Sequence, residues 1–281
     1  MNWQRALADH FQQDFNLCQF HPCNGGDINQ SYQFTLPDNS SYFVKHHPQA
    51  NKDFFSSEAF ALENLKKLSP LRTPHVIHVE EFYLCLEWIE SSPPCNNFFE
   101  TFGELLAKQH RITSPSWGFC QNNYIGSLRQ TNSPEDNFVD FFWENRLLPQ
   151  LQTCQLLTKK LRKQFTKLSE KLSKLLDTPD EKPALIHGDL WSGNYICDNN
   201  NKAVLVDPSI AYSHREMEIA FTELFGGFKK DFYKAYNYFY PLTEGYNDRK
   251  DLYNLYPLLV HVNLFGGSYL SQVERIVNKY S

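Results

Sequence analysis

Several features of other protein classes are missing from this sequence. No stretch approaches 18 consecutive apolar residues, the length at which a membrane helix becomes the default reading. The N-terminal MNWQRALADHF has no apolar run of the signal-peptide kind. The cysteines, at 18, 23, 85, 95, 120, 154 and 197, are odd in number and include no C-x-x-C pair, which argues against a disulfide framework or a zinc ribbon. The ten histidines contain no H-E-x-x-H spacing. A net charge of −5 supplies no overall field to gather nucleic acid or anionic lipid. Internal repeats and low-complexity tracts are absent too. The expectation is a soluble, cytoplasmic protein of a reducing compartment, with neither nucleic acid nor a membrane as partner.

What the sequence has in quantity is rings: 23 Phe, 15 Tyr and 5 Trp among 281 residues. At roughly 150 residues per domain, that length implies about two domains or lobes. Alternating apolar runs at 31–36 and 41–45, joined by Pro37-Asp38-Asn39-Ser40, read as two strands and a turn. A helix is expected at 53–68, where Phe55, Ala59, Leu62 and Leu65 recur at helical spacing, followed by strands at 75–79 and 82–89. The segment Glu90-Ser-Ser-Pro-Pro-Cys-Asn-Asn97 breaks the pattern. Beyond it the chain reads as helical at 98–111, 137–151, 154–176, 215–239 and 250–279, with a β-like interruption at 184–207. This is an α+β protein with a small sheet lobe at 1–90, a hinge near 86–97, and a larger, mainly helical lobe at 91–281 that carries a hairpin inset. The helix over 156–176 places Lys159, Lys160, Arg162, Lys163, Lys167, Lys171 and Lys174 opposite a Leu/Phe stripe, which is the pattern of a solvated helix face.

The stretch with chemical content is LIHGDLWSGNYICDNNNKAVLVD, at 185–207. Tyr195-Ile-Cys197 and Ala203-Val-Leu-Val206 flank a polar turn and read as a β-hairpin. With the turn centred between Asn200 and Asn201, Asn194 falls opposite Asp207 at the open end. Asp189 lies five residues before Asn194, on the loop feeding that end. Two carboxylates and a carboxamide at one spot call for a cation, and all-oxygen donors favour a hard one such as Mg²⁺ carrying substrate phosphates. In the order H-x-D-x-x-x-x-N followed by a strand and Asp, Asp189 accepts a hydroxyl proton while Asn194 and Asp207 hold Mg²⁺ against ATP phosphates. A polar hairpin capped by ordinary turn residues is the structural alternative.

A cation for the nucleotide phosphates is available at Lys45, which ends the strand SYFVK with Phe43 on the same face. Glu58 can hold Lys45 by an ion pair, with Glu63 as its rival. Gly25 and Gly26 precede the first hairpin strand and permit close backbone approach to phosphates. The segment Leu86-Glu87-Trp88-Ile89 is where adenine would meet backbone groups, at Glu87 and Ile89.

Taken together, these stretches resemble the fructosamine/ketosamine-3-kinase family, within the aminoglycoside-phosphotransferase-like, protein-kinase-like fold. The matching segments are GGDINQSY, FVK, NYIGSLRQTN, FFWENRLLPQLQ, HGDLWSGN, DPSIAYSHREMEIAFTELFGGF and YNDRKDLYNLYPLLVHVNLFGG. The resemblance implies a bilobal fold and transfer of the ATP γ-phosphate to the 3-hydroxyl of a ketosamine, whether a free small molecule or protein-bound, and whether fructosamine, ribulosamine or erythrulosamine. It implies Lys45 and Glu58 as nucleotide anchors, Asp189 as the base, and Asn194 and Asp207 as metal ligands. It further implies Trp191 as a sugar-side aromatic, with a core indole as the alternative, and places His214, Arg215 and Glu216 at the border of the acceptor pocket or in a structural Arg–Glu clamp. Two departures, Phe138 where the family often has Trp and Ser213 at a usual glycine position, are expected to reshape the acceptor side without touching Asp189, Asn194 or Asp207. A kinase of another small hydroxyl acceptor, or a nucleotide-binding regulator without catalysis, remains the alternative; retention of Asp189, Asn194 and Asp207 speaks against the regulator.

Overall fold

The computed structural model describes residues 2–23 and 28–281. Along the chain the elements are α1 (Trp3–His10), β1 (Gln19–Pro22), β2 (Gln30–Thr35), β3 (Ser41–His46), α2 (Phe54–Leu68), β4 (Val76–Val79), β5 (Tyr83–Glu87) and α3 (Phe98–Gln109). There follow β6 (Asn123–Ile125), β7 (Leu128–Gln130), α4 (Phe138–Asp140), a π-helical segment (Phe141–Leu147), α5 (Leu148–Thr153), α6 (Lys159–Ser169) and α7 (Leu172–Leu175). The remainder comprises β8 (Ala184–Ile186), β9 (Tyr195–Cys197), β10 (Ala203–Leu205), β11 (Ala211–Ser213), α8 (Arg215–Leu224), α9 (Lys230–Phe239), α10 (Tyr246–Tyr253), α11 (Leu255–Phe265) and α12 (Leu270–Tyr280). The chain forms two compact units: residues 1–98 with 195–207, and residues 99–194 with 208–281. The hairpin at 195–207, expected as an inset of the helical lobe, therefore packs with the sheet unit.

In the first unit an antiparallel sheet runs in the order β1-β2-β3-β5-β4. Period-2 alternation divides its residues between two faces. Phe34, Val44, Tyr83 and Cys85 bury on one face with Leu7 of α1, and Trp3 and Phe20 pack against them. Burial pushes the Cys85 thiol up to about 12, so it serves as a small apolar core residue. The other face carries Phe43 and Lys45, and α2 packs on β4 and β5. The β9–β10 hairpin pairs Ala203 with Cys197 and Leu205 with Tyr195. That register is one residue away from the expected one, which would have set Ala203 against Asp198. The Asp198 carboxylate is the cause. Its Oδ1 accepts the N–H groups of Asn200 and Lys202, both at 2.9 Å, and Asn201 adopts φ 58°, so the turn centres on Asn200.

The second unit is helical, with two short ribbons, β6–β7 and β8–β11. Its core includes Leu106, Phe141, Phe165, Leu168, Leu185, Phe232, Leu258 and Val273, all nearly inaccessible. Several helices expected as continuous are divided. Gly226 and Gly227 adopt φ 73° and 93° and separate α8 from α9, and Gly266, at φ 89°, separates α11 from α12. The segment 141–147 is π-helical, which lets Asn145, Arg146 and Leu147 all bury in succession. Asn145 accepts the Ser133 N–H at 3.0 Å, and Arg146 donates to the Asn132 side chain at 2.8 Å. In α6, Leu161, Phe165 and Leu168 are buried while Lys159, Lys160, Lys163 and Lys167 face solvent. Phe138 and Ser213, the two departures from the family pattern, are both buried; Phe138 packs among the rings of Trp117, Phe142, His214 and Tyr253.

Candidate active site

In the first unit the site begins on β3, the central strand. There Lys45 sits opposite Ser31 and Leu84 and is only 3% exposed. A buried ammonium needs partners. Its Nζ lies 2.5 Å from Glu58 Oε1 and also bonds the Asp207 carboxylate. Glu63, the rival for Lys45, is exposed and lies near Lys66 instead. Asp207 has φ 57°, a left-handed backbone uncommon outside glycine, and its side chain is about a third exposed at 35%. Strain of this kind concentrates where a side chain must be aimed. Phe43 shares the face of Lys45, and its ring lies 6.4 Å from that of Trp88.

Arg72 was not singled out from the sequence, yet it secures this unit. Its guanidinium pairs with Glu87 and, at 2.9 Å, with Asp198, while its carbonyl accepts the Leu205 N–H at 2.8 Å. Burial pushes the Asp198 carboxyl up, but the N–H groups of Lys202 and Asn200 and the Arg72 charge outweigh it and hold it below the usual carboxylate range. The Glu87 carboxylate is thus occupied by Arg72, and its N–H bonds the His75 carbonyl at 2.9 Å. Ile89, just past β5, is half-buried. Gly25 and Gly26 lie outside the described residues.

In the second unit β8 delivers the chain into His187-Gly188-Asp189. The His187 carbonyl accepts the Ser209 N–H at 2.9 Å. Gly188 has φ 87°, and a Cβ there would stand 2.0 Å from the Ser209 carbonyl oxygen, so both conformation and space require glycine. The loop closes on itself: Asn194 N–H bonds the Trp191 carbonyl at 3.0 Å, and Asn194 Nδ2 donates to the Asp189 carbonyl and to Asp189 Oδ2, each at 2.8 Å. With its nitrogen turned to Asp189, the Asn194 amide keeps its oxygen for another donor or a cation. The residues predicted as base and ligand therefore share one rigid turn.

Trp191 is half-buried on that turn. Its ring folds over Gly193, where a Cβ would lie 2.3 Å from the indole Cη2. It meets Phe225 edge-on at 6.5 Å, and Phe225 in turn contacts His261 at 4.7 Å and Tyr269 at 6.1 Å. Ser192 packs on Gly227, where a Cβ would come within 2.3 Å of the serine Cβ. The break between α8 and α9 thus doubles as the seat of the loop. Phe225, His261 and Tyr269 are not singled out by the sequence, although Phe225 and His261 lie within segments that carry the family resemblance.

His214, Arg215 and Glu216, expected at the acceptor border, are buried and engaged within the fold, which is the clamp alternative. Arg215 holds Glu181 in two-pronged fashion (Nε–Oε2 2.9 Å, Nη2–Oε1 2.6 Å) and donates to the carbonyls of Tyr240 and Pro241. Glu216 is gripped by Arg249 through two bonds of 2.9 Å. His214 caps α8, its Nδ1 accepting the Glu216 N–H at 3.2 Å, and burial lowers its pKa to about 4. These groups hold α8 against α10 and the segment 240–243; a buried ion pair of this kind needs its partners to remain in place.

The profile of the family described as Fructosamine kinase matches residues 1–281. A protein of Enterococcus faecium named "Probable ketoamine kinase" is 37% identical over 267 residues, covering 92% of this chain and 94% of that protein. The chloroplastic protein-ribulosamine 3-kinase of Arabidopsis thaliana is 34% identical over 265 residues, covering 91% of this chain and 80% of that protein. A crystal structure from Thermobifida fusca, assigned as a fructosamine-3-kinase, superposes with a TM-score of 0.85 at 33% identity, covering 92% of each chain.

Proposed function

This chain belongs to the fructosamine kinase family, and from that membership we propose that it transfers the γ-phosphate of ATP to the 3-hydroxyl of ketosamines. The acceptors are the adducts of a ketose with an amine, of the fructosamine, ribulosamine or erythrulosamine kind. A phosphate at C3 is a leaving group beside an enolisable C1–C2 unit: enolisation expels it and leaves an imine at C1, and hydrolysis of that imine by water releases the amine and a dicarbonyl sugar. The reaction is then the first step of repairing a glycated amine.

The observation that carries the reading is the turn at 189–194. Asp189 is held by the Asn194 nitrogen, and the amide oxygen is left for a cation. Asp189 takes the proton of the acceptor hydroxyl as the phosphoryl group is transferred. Asn194 Oδ1 and the Asp207 carboxylate are the donors that would hold Mg²⁺; an all-oxygen set of one charged and one neutral ligand fits that ion. When bound, the cation neutralises charge on the phosphate oxygens. Lys45, steadied by Glu58, offers its ammonium to the same phosphates. Gly25 and Gly26 allow close backbone approach to them, and backbone groups at Glu87 and Ile89 receive the adenine. Trp191 offers an apolar face to the C–H groups of the ketose.

Among the described residues no helix is long and apolar enough to cross a membrane. All seven cysteines are free, which fits a cytoplasmic, reducing setting. ATP consumption measured with erythrulosamine, ribulosamine, fructosamine and an aminoglycoside tests the proposal. Turnover is expected with one or more ketosamines and absent with the aminoglycoside; consumption driven by the aminoglycoside alone would reassign the acceptor class.

A further inference from the structure

Glu218, on α8, touches neither nucleotide nor acceptor in the reading above, yet both of its carboxylate oxygens are committed in the deepest part of the second unit. Oε1 accepts the Gly188 N–H at 2.7 Å, and Oε2 lies 2.8 Å from His110 Nε2; both side chains are wholly buried. Burial pushes this carboxyl up, but the hydrogen bonds from His110 and the Gly188 N–H work against it, and the carboxyl sits below the usual carboxylate range, so Glu218 stays ionised.

The bonds behind His110 bear on the direction of its protons. The Tyr236 hydroxyl lies 2.7 Å from His110 Nδ1 and 3.4 Å from Arg215 Nη1. A guanidinium only donates, so with His110 as the neutral imidazole the tyrosine proton goes to its Nδ1 and the ring carries its own proton on Nε2, toward Glu218. Arg215 cannot turn away, because Glu181 and two backbone carbonyls hold it. The chain therefore runs one way, from Arg215 through Tyr236 and His110 to Glu218, where it meets the Gly188 N–H arriving from the opposite side. Gly188 is the residue immediately before Asp189 and is held at φ 87°.

We propose that Glu218 is a positioning residue for phosphoryl transfer: it anchors the Gly188 amide and through it sets the Asp189 carboxylate, with His110, Tyr236 and Arg215 as a one-way relay that keeps the anchor charged. The inference rests on Asp189 being the base. A charged acceptor makes a stronger bond to a backbone N–H than a neutral one, and a base displaced by a fraction of an ångström loses rate while the substrates still bind. Glutamine at this position preserves the shape but presents an NH₂ group between two donors. Reversing His110 to accommodate it would turn the Tyr236 hydroxyl proton toward Arg215, which has nothing to accept it.

The test combines steady-state kinetics with the amide proton resonance of Gly188 in the full-length protein. In Glu218→Gln, kcat should fall about 10- to 100-fold, the scale of a lost charge-assisted bond, with both KM values within about twofold and the Gly188 resonance moved upfield. Glu218→Asp, which keeps the charge, should recover most of the lost kcat. An element that merely supports the fold would lower the melting temperature without this kcat-against-KM split. If Glu218→Gln does not fold, Glu218→Asp decides alone: a displaced Gly188 resonance with parental kcat overturns the anchor, as does parental kcat in a folded Glu218→Gln. Asp189→Asn measured in parallel separates the two readings. Retained turnover there removes the base, whereas lost turnover beside an unaffected Glu218→Gln removes only the anchor.

Discussion

A carboxylate that receives a proton from an alcohol contributes to the rate and little to nucleotide affinity. Asp189→Asn should accordingly lose about 10²- to 10⁴-fold in turnover while Mg·ATP still binds in calorimetry; turnover within about threefold of the parent would remove Asp189 from the role. Lys45→Met should do the converse and raise the ATP KM by tenfold or more, the scale of a charged hydrogen bond to phosphate, since Glu58 and Asp207 would face each other without the cation between them. An unchanged ATP KM would leave Lys45 as a structural ion pair. His214 offers a test of stability rather than rate. Its pKa falls from about 6.5 in the unfolded chain to about 4 in the fold, so between these values the unfolded chain binds a proton that the folded one does not. Stability is therefore full above about pH 6.5 and declines as the pH falls toward 4. Between pH 7 and 5 this amounts to about 2 kcal/mol, and His214→Asn, which can still cap α8, should lose that much less on denaturant unfolding at pH 5. An identical pH dependence in the two proteins would contradict it. At this scale the Lys45–Glu58 pair and the closeness of Asn194 to Asp189 could be read from the sequence, because the partners lie only 13 and 5 residues apart. Glu218 and Arg72 could not, because their partners lie far off in sequence and are joined to them only by burial.

The turn at 189–194 is the element whose construction most constrains the chemistry. Gly193 has room for a side chain only if the Trp191 ring moves, since the obstructing atom is the far end of the indole. Gly193→Ala should therefore leave the melting temperature nearly unchanged and raise the acceptor KM several-fold, as Trp191→Ala should, with the ATP KM less affected. If either variant instead melts many degrees lower, at the cost of about 3–5 kcal/mol expected for a truncated core ring, Trp191 belongs to the scaffold. Elements were legible where local chemistry decides them. The β2–β3 hairpin follows from alternation around Pro37-Asp38-Asn39-Ser40, and α2 from its apolar spacing. The β9–β10 register was displaced by one residue because a single carboxylate, Asp198, recentres the turn. The division between α8 and α9 depends on where Gly226 and Gly227 must bend to receive Ser192, a tertiary contact that periodicity does not encode.

For the molecule as a whole, composition set the outline and order along the chain supplied the identity. A net charge of −5, seven free cysteines and the absence of long apolar runs narrowed the class. The family segments, spread in order over nearly the entire sequence, led to a kinase of ketosamines. The acceptor side was the least legible part: His214, Arg215 and Glu216 carry the chemical look of a binding site, but the fold uses them to lock α8. The helix face bearing Lys159, Lys160, Lys163 and Lys167 is solvated. The measurement that bears most directly on the central claim is the position of the new phosphate. Incubation with Mg·ATP and a ribulosamine or erythrulosamine, followed by ³¹P–¹H correlation NMR, should show phosphorus coupled to the proton on C3 and subsequent release of the free amine, with neither signal in Asp189→Asn. A phosphate on any other carbon, or ATP hydrolysis with the ketosamine unmodified, would contradict it.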